Sequence, residues 1–445
     1  MTENYDYDVL YLGSGHAAFD GAGILTAAGK RVAFVEEDKI GGTCPNWGCN
    51  AKILLEYPVA LARQIKDSNG ILDGNGKIDW VKNQAHKRQV LDDLPDILQN
   101  IFEGLGVTYL FGQGKFVDAH TIQINNQQVT ADKIVIATGE HSHRLDIEGR
   151  ELLHDSKDFL AMAQMPEEMV IIGGGYIAME SASMAVAAGA KVTVILHNDR
   201  PLSAFYAKFV KKLMADLEAQ GVNFIVNANT QSVQETANGL LVKTDIGELK
   251  TEWVLDATGR VPNTQNIGLD EIGVAYSKHG IIVNDHLQTS VDNVYAAGDV
   301  VDKVVPKLTP TATFESQYLS QLFIGQTQEA IDYPAIATNL FTSPRIAQAG
   351  ISVEKAQAEP DKYTVVEKDV MGDWYRHVDY EKAGEIALVY DQDHRLVGAT
   401  EISERAEDII NSLLPAIEFG YTPEQLARLV TIFPTIGYSA FGELG

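Results

Sequence analysis

The chain has 445 residues, with 35 Lys and Arg against 61 Asp and Glu, a formal net charge of −26. Hydrophobic residues make up 45% and charged residues 22%, a soluble globular mixture on a chain long enough for several domains. The acidic balance argues against nucleic acid or an anionic membrane as the main partner, and no apolar run approaches the ~20 residues of a membrane helix. The acidic start, Met1-Thr2-Glu3-Asn4-Tyr5-Asp6, leads straight into an apolar strand. A secretory signal would need a basic start and an apolar block, so the expected place is the cytoplasm.

Along the chain, Asp8–Leu12 reads as a buried strand. Gly13-Ser14-Gly15-His16-Ala17-Ala18 then opens a small-residue helix, and a second strand, Val32–Val35, ends at Glu36. Gly13 permits a tight strand-to-helix turn, Gly15 lets backbone approach a pyrophosphate, and Ala18 is small enough for helix to pack on strand. A diphosphate would sit on the positive helix N-terminus. Glu36 is placed to accept hydrogen bonds from ribose hydroxyls.

Cys44 and Cys49 are the only cysteines. In a reducing compartment a close pair is more often catalytic or metal-binding than structural. No His or Cys cluster lies near to complete a zinc site, so no metal is expected and the pair points to redox chemistry. On an ideal helix, Cα atoms five residues apart are about 8.7 Å apart, beyond the ~7 Å a disulfide tolerates. The pair therefore cannot close on an undistorted helix. Pro45 suits a first helical position and Gly48 permits irregular backbone. Cys44 is expected at the helix start and Cys49 inside its first turns, where the N-terminus favours thiolates. Residues 56–105 read as helical decoration with solvated charge and no chemistry.

Ile134–Ala137 is a strand ending in the small turn Thr138-Gly139. The nucleotide pattern then returns: strand Met169–Ile172, turn Gly173-Gly174-Gly175-Tyr176-Ile177-Ala178, a helix, and strand Val192–Leu196. Matching residues 29–32 to 189–192 puts Leu196 where Glu36 stands. No carboxylate is there to repel a 2′-phosphate, and His197 and Arg200 follow. Trp253–Ala257, ending at Thr258-Gly259-Arg260, and Asn293–Asp299 are further strands of this kind, the last ending in a carboxylate suited to ligand hydroxyls. His141, His143 and His154 have no metal spacing and read as ordinary polar residues. Two such turns, each in a strand–helix–strand unit, predict an α/β protein with two dinucleotide sites.

At this point the sequence resembles the flavoprotein disulfide reductases, the family of glutathione reductase, dihydrolipoamide dehydrogenase and mercuric reductase. The resemblance covers nearly the whole chain. It is carried by Gly41-Gly42-Thr43-Cys44-Pro45-Asn46-Trp47-Gly48-Cys49-Asn50-Ala51-Lys52, by residues 173–180, by Ala257–Thr264 and by Ala296-Ala297-Gly298-Asp299. Leu308-Thr309-Pro310 and Phe341–Pro344 complete it.

The resemblance implies two nested Rossmann-like domains, for FAD and NAD(P)H, and a C-terminal α+β dimerisation domain. FAD would take residues 1–148 and about 267–327, the nicotinamide nucleotide 149–266, and the interface 328–445. The protein would be a homodimer with shared active sites. Cys49 would face the flavin as its charge-transfer thiolate and Cys44 would meet substrate. Lys52 would stand near flavin N5 with Glu180 as its ion-pair partner, and Tyr176 would cover the nicotinamide pocket. Asp299 would bind the ribityl chain and Thr309 the flavin ring, with Gly42, Thr43, Gly139 and Gly259 also at the cofactors. Trp47 would shape the substrate mouth or simply pack.

NADPH is expected over NADH, from Leu196, His197, Arg200 and Ala178. The arginine that NADPH-using members place at position 197 is missing, and Ser203 replaces a second. The chain departs from the family most at Thr431-Ile432-Phe433-Pro434-Thr435-Ile436-Gly437-Tyr438. Thiol-disulfide members have a histidine where Phe433 stands and a glutamate where Tyr438 stands. Mercuric reductase also has a phenylalanine there, but its extra C-terminal cysteines are absent. The expected activity is electron transfer from NAD(P)H through FAD to the Cys44–Cys49 disulfide, and on to a small disulfide or thiol-reactive electrophile needing little proton assistance. The alternatives are an NAD(P)H oxidase or diaphorase that reduces oxygen or quinones, and a flavin-bound redox sensor with low turnover.

Overall fold

A computed structural model describes residues 5–444; Met1 to Asn4, on which part of the acidic-start reading falls, and Gly445 lie outside the described residues. The chain folds into two compact units. The first takes residues 1–52, 87–143 and 260–333. Its sheet is built around β1 (Tyr7–Leu12), which pairs in parallel with β2 (Val32–Glu36) and with the strand Gln127–Ile136. Leu10 thus lies between Ala33 and Ile134 in register. Val107–Phe111 adds to the outer edge of β2, and Val294–Ala296 adds to Gln127–Ile136, both in parallel. The hairpin Gly114–Asp118 and Thr121–Ile124 completes the sheet in antiparallel fashion. β2 is buried along its whole length. Both faces of the sheet's parallel centre are covered, which is why β1 and β2 are continuous apolar runs and not alternating ones.

On one face lies α1 (His16–Ala27), packed against the helix Thr309–Phe323. Gly21 lets the two come close: a Cβ there would overlap the Ser320 hydroxyl and the Ser316 carbonyl. The contact is also bonded, since Gly21 N–H donates to Ser316 Oγ at 2.9 Å and Ser320 Oγ donates to the Gly21 carbonyl at 2.9 Å. Ala18 is fully buried in this layer with Tyr11, Phe34 and Leu319. After β2 the chain forms α2 (Thr43–Trp47) and then α3 (Cys49–Asp67).

The second unit takes residues 53–86, 144–259 and 334–445. Its parallel sheet has the order Asn223–Ile225, Lys191–Ile195, Glu168–Ile172, Trp253–Asp256. The helix Tyr176–Ala187 connects the middle two strands, and Ala178 is fully buried on it. A three-stranded meander spans residues 230–251. Residues 338–403 supply a five-stranded sheet, paired throughout in antiparallel fashion. The helix Ala406–Phe419 buries Ile409, Ile410, Leu413 and Ala416 against it.

The expected fold class is therefore the observed one: Rossmann-like α/β sheets with a C-terminal α+β part. Two local expectations need correction. Residues 56–105 are not helical throughout: helices Trp80–Leu91 and Leu94–Gly104 follow α3, but 68–79 is irregular. Gly70, Gly74 and Gly76 there take positive φ, which ends a helix readily. The cysteine segment is not one helix either, as described next.

Candidate active site

The first glycine turn joins β1 to α1. Gly13 has φ +109°, and a Cβ would run into the Ala137 carbonyl; only glycine fits this approach of two strand ends. Gly15 is the N-cap of α1, with no side-chain cap on the first-turn amides. A Cβ on Gly15 would find nothing nearer than the Gly41 carbonyl at 3.9 Å. The buried Glu36 carboxylate accepts from Ser14 N–H at 3.2 Å and Ser14 Oγ at 2.6 Å, which ties the end of β2 to the glycine loop. Its other oxygen accepts from Asp38 N–H at 2.9 Å. Asn263 clasps the Thr138-Gly139 turn: its side chain donates to the Thr138 carbonyl at 2.7 Å and its N–H to the Gly139 carbonyl at 2.9 Å.

At the end of Val294–Ala296, Asp299 lies in a short 3₁₀ turn. Among the described residues nothing donates a hydrogen bond to its half-buried carboxylate. The turn itself is held by the fully buried Glu315, which accepts from Gly298 N–H at 2.6 Å, from Lys303 Nζ at 2.6 Å and from Tyr333 Oη at 2.7 Å. Uncapped helix amides, a glycine that keeps backbone open, and two carboxylates at strand ends of the same sheet fit the diphosphate and hydroxyl groups of a flavin dinucleotide.

The cysteines stand on two helices. α2 starts after Gly42, which has φ +64°, and carries Thr43 first and Cys44 second. Pro45 is thus its third residue. Gly48, at φ −130° and ψ −121°, breaks the helix, and Cys49 is the first residue of α3. Cys49 does not lie inside the turns of a helix begun near Cys44, because continuous winding would hold the two sulfurs apart. Gly48 makes the fold-back feasible: a Cβ there would press within 3.1 Å of Cys44 Cα. Asn46 locks the loop before it, donating to the Ile40 and Gly42 carbonyls at 2.9 Å each. Trp47 lies beneath the Lys39 ammonium, 5.9 Å from its ring centre.

Both cysteines are free thiols, Cys44 half-buried and Cys49 exposed. Thr309, the first residue of Thr309–Phe323, brings its hydroxyl to 3.4 Å from Cys49 Sγ. The Cys49 thiol is pulled down to about 6, first by a hydrogen bond from Cys44, then by Thr309 and by the charge of Lys52. Cys44 is pushed up, because its proton is held in the hydrogen bond to Cys49 and burial disfavours a second charge. Cys49 is therefore the thiolate and Cys44 the proton-bearing sulfur.

The second glycine turn repeats the first. Gly173 has φ +121° and abuts the Ala257 carbonyl, and Gly175 is an uncapped N-cap with nothing within 4 Å of a Cβ. Tyr176 begins the helix and packs edge-on to Phe205 at 5.3 Å. Leu196 is buried, and His197 beside it is exposed. Arg200 is differently placed from its expected role. Its guanidinium folds onto carbonyl oxygens of its own loop, at Leu202 (3.1 Å), Pro201, Ser203 and Phe205. Gly259, with φ +148°, follows the fourth strand of this sheet. Glu180 is buried and accepts from Phe341 N–H at 2.9 Å.

In the C-terminal segment, Phe433 meets Tyr438 edge-on at 5.1 Å and Trp374 at 6.2 Å. All three are about half exposed. Among the described residues the Tyr438 hydroxyl has no hydrogen-bond partner, so the phenol packs by its ring.

The sequence reading passed over three features. Glu315 and the turn it holds could not be foreseen, since its partners Gly298, Lys303 and Tyr333 come from two other segments. Glu56, inside the supposed decoration, is fully buried and bonded to Arg345 at 3.1 Å. His16 and Asp20 form a pair at 2.7 Å; their i, i+4 spacing was visible but lay inside the glycine motif.

These elements define a class. Residues 7–316 match the family Pyridine nucleotide-disulphide oxidoreductase, and residues 336–440 match its dimerisation domain. The chain belongs to this family of flavin- and pyridine-nucleotide-dependent oxidoreductases. Among its relatives, the mercuric reductase of Staphylococcus aureus is 30% identical over 95% of this chain and 79% of its own length. The dihydrolipoyl dehydrogenase of Geobacillus stearothermophilus is 30% identical over 97% of this chain and 94% of its own. The solved HOCl-induced flavoprotein disulfide reductase RclA from Escherichia coli has a TM-score of 0.89 over 98% of this chain and 99% of its own, at 24% identity, and so shares the fold. No helix among the described residues is long and apolar enough to cross a membrane.

Proposed function

We propose that the chain takes electrons from NADPH and delivers them through Cys44 and Cys49 to a small disulfide or another thiol-reactive electrophile. The observation that carries this reading is the division of labour between the sulfurs: Cys49 bears the charge beside Thr309, and Cys44 keeps a proton. When bound, the flavin supplies the two-electron relay between nucleotide and thiols. The chain's own residues hold and bias that relay. Gly13, Gly15, Ala18, Glu36, Gly42, Thr43, Gly139, Asp299 and Thr309 are its proposed seat. Gly173, Gly175, Tyr176, Ala178, His197 and Gly259 are proposed for the nicotinamide nucleotide. Arg200 joins them only by releasing its carbonyl partners, so the NADPH preference rests mainly on Leu196 and His197. Lys52 and Glu180 are proposed as an ion pair that steadies negative charge at the flavin.

The domain division proposed is 1–148 with 267–327, 149–266, and 328–445, in a cytoplasmic homodimer with shared sites. Phe433 offers no acid to a leaving thiolate, and the Tyr438 phenol is read as packing against it by its ring. The favoured acceptors are therefore those that leave as stable anions, such as activated disulfides, polysulfides or soft electrophiles. The test compares oxidised glutathione with an activated aromatic disulfide, using wild type, Phe433→His, Cys44→Ser and Cys49→Ser. Both cysteine variants should lose turnover. Retained turnover would move the chemistry to the flavin itself, as in a diaphorase. A wild-type kcat/KM for oxidised glutathione of about 10⁶ M⁻¹s⁻¹ or above would overturn the substrate argument.

A further inference from the structure

We propose that His16, held by Asp20, is the base that takes the proton from Cys44, supplied by the same chain that carries the cysteines. The proposal rests on the reading of Cys44 and Cys49 as the working dithiol. That reading leaves a specific need. The nucleophile toward substrate is the sulfur that holds a proton, and the C-terminal segment presents Phe433, which cannot accept one.

The placement follows from contacts within the first unit. His16 is the first residue of α1, immediately after Gly15. The loop leading to the cysteines lies on this point, because a Cβ on Gly42 would come 3.1 Å from Gly15 Cα. One turn along α1, Asp20 Oδ2 receives His16 Nδ1 at 2.7 Å. The same oxygen accepts the Thr313 hydroxyl. Thr313 follows Thr309 by one turn on its helix, and Thr309 touches Cys49 Sγ at 3.4 Å. Residues four apart share a helix face, so that face carries Asp20 and His16 on one turn and the dithiol on the next.

The chemistry of the pair is that of a positioned base. A carboxylate on Nδ1 fixes the tautomer and turns Nε2 outward as the acceptor. Among the described residues Nε2 has no hydrogen-bond partner. Lys52 on α3 also acts on Cys49 through its charge, and the 309–323 helix presents the neutral Thr309 and Thr313. Once His16 has taken the proton, its positive charge favours the Cys49 thiolate.

The step balances as follows. Cys44 S–H gives its proton to His16 Nε2 and its sulfur attacks the substrate disulfide. The substrate S–S bond breaks, a Cys44–S–S–R bond forms, and one R–S⁻ leaves. The Cys49 thiolate then attacks Cys44 sulfur, the Cys44–S–S–R bond breaks, the intramolecular disulfide closes, and the second R–S⁻ leaves. The imidazolium returns its proton to water. Two electrons pass from the dithiol to the substrate, and NAD(P)H restores them by the proposed route through the flavin.

The test uses the flavin-loaded protein, reduced anaerobically, with iodoacetamide alkylation of Cys44 followed by peptide mass spectrometry at pH 7. His16→Ala and His16→Gln should alkylate Cys44 about tenfold more slowly or worse. Added imidazole should restore the rate in His16→Ala and not in His16→Gln, whose side chain fills the space. Turnover of an activated aromatic disulfide should fall about 10²-fold or more in both and recover in parallel. Asp20 is a positioning residue: Asp20→Asn should slow alkylation less, and Asp20→Glu should regain part of it. Wild-type alkylation rates in the His16 variants, or slow rates that imidazole does not restore in His16→Ala, would overturn the assignment. If Cys44→Ser and Cys49→Ser still turn over, the dithiol reading fails instead; if they are inactive while His16→Ala is unimpaired, only the base has been misassigned.

Discussion

Thr309→Val tests how Cys49 is kept ionised. Valine keeps the shape of threonine but removes the hydroxyl that stands 3.4 Å from Cys49 Sγ. A hydrogen bond to a charged group is worth about 1.5–3 kcal/mol when well formed and buried. Cys49 is exposed, and solvent weakens such a contact toward about 1 kcal/mol. At about 1.4 kcal/mol per pKa unit, the Cys49 thiol should rise from about 6 by roughly 0.7. The sign is set by the direction of the perturbation. A depressed thiol is ionised above its pKa and neutral below it, so losing a stabiliser moves the loss of thiolate to higher pH. The assay is a pH titration of the long-wavelength thiolate–flavin absorbance in two-electron-reduced protein. Cys44→Ala removes the strongest hydrogen-bond stabiliser of the Cys49 thiolate and should move the midpoint further than Thr309→Val. An unmoved midpoint in Thr309→Val, or the reverse order of the two variants, would refute this account of the charge on Cys49.

Three further outcomes are expected. NADPH should exceed NADH in kcat/KM, and Leu196→Glu should cut that ratio tenfold or more, about 1.4 kcal/mol; equal use of both nucleotides by wild type would contradict it. Arg376 is buried between Glu381 at 3.0 Å and Glu401 at 2.9 Å, so Arg376→Met leaves two uncompensated carboxylates. It should destabilise the second unit by about 3–5 kcal/mol, seen as a lowered midpoint in thermal or urea unfolding. Burial pushes the Glu401 carboxyl up to about 7, above its unfolded value. Its stabilising contribution is therefore complete below about 4.5 and is lost as pH rises through about 7. Glu401→Gln should flatten the decline in thermal stability across that window, and an unchanged slope would show that the group does not titrate there.

The sequence was legible where chemistry is local. β1, β2 and the two later nucleotide strands lie within a residue or two of their expected bounds, because a glycine turn needs its strand and helix on either side. The cysteine helix was misjudged because spacing alone shows that one regular helix is impossible, not where it breaks. The break falls at Gly48, where a side chain would crowd Cys44 and the Thr43 carbonyl. Arg200 looked like a phosphate ligand by position. Yet a guanidinium with five donors finds carbonyls in its own loop first. Glu56 was invisible for the opposite reason: its partner Arg345 is 289 residues away, and a glutamate on a helix is by default solvated.

The same contrast explains why His16 escaped a reading by motif. Its position in Gly13–Ala18 is a variable one, where the pattern asks nothing of the side chain. The fold gives it meaning by crossing α1 with Thr309–Phe323 at Gly21. That crossing sets Thr313 on Asp20 and Thr309 on Cys49 through one rigid helix face. The geometry of the dithiol and the orientation of the imidazole therefore depend on a single interhelical distance. Gly21→Ala would push the helices apart by overlap with Ser316 and Ser320, a change of a type that costs about 1–3 kcal/mol. Both contacts should loosen together in that variant. A cofactor-binding helix and a proton-transfer pair would then be one structural element, and the base would come from the chain that carries the dithiol.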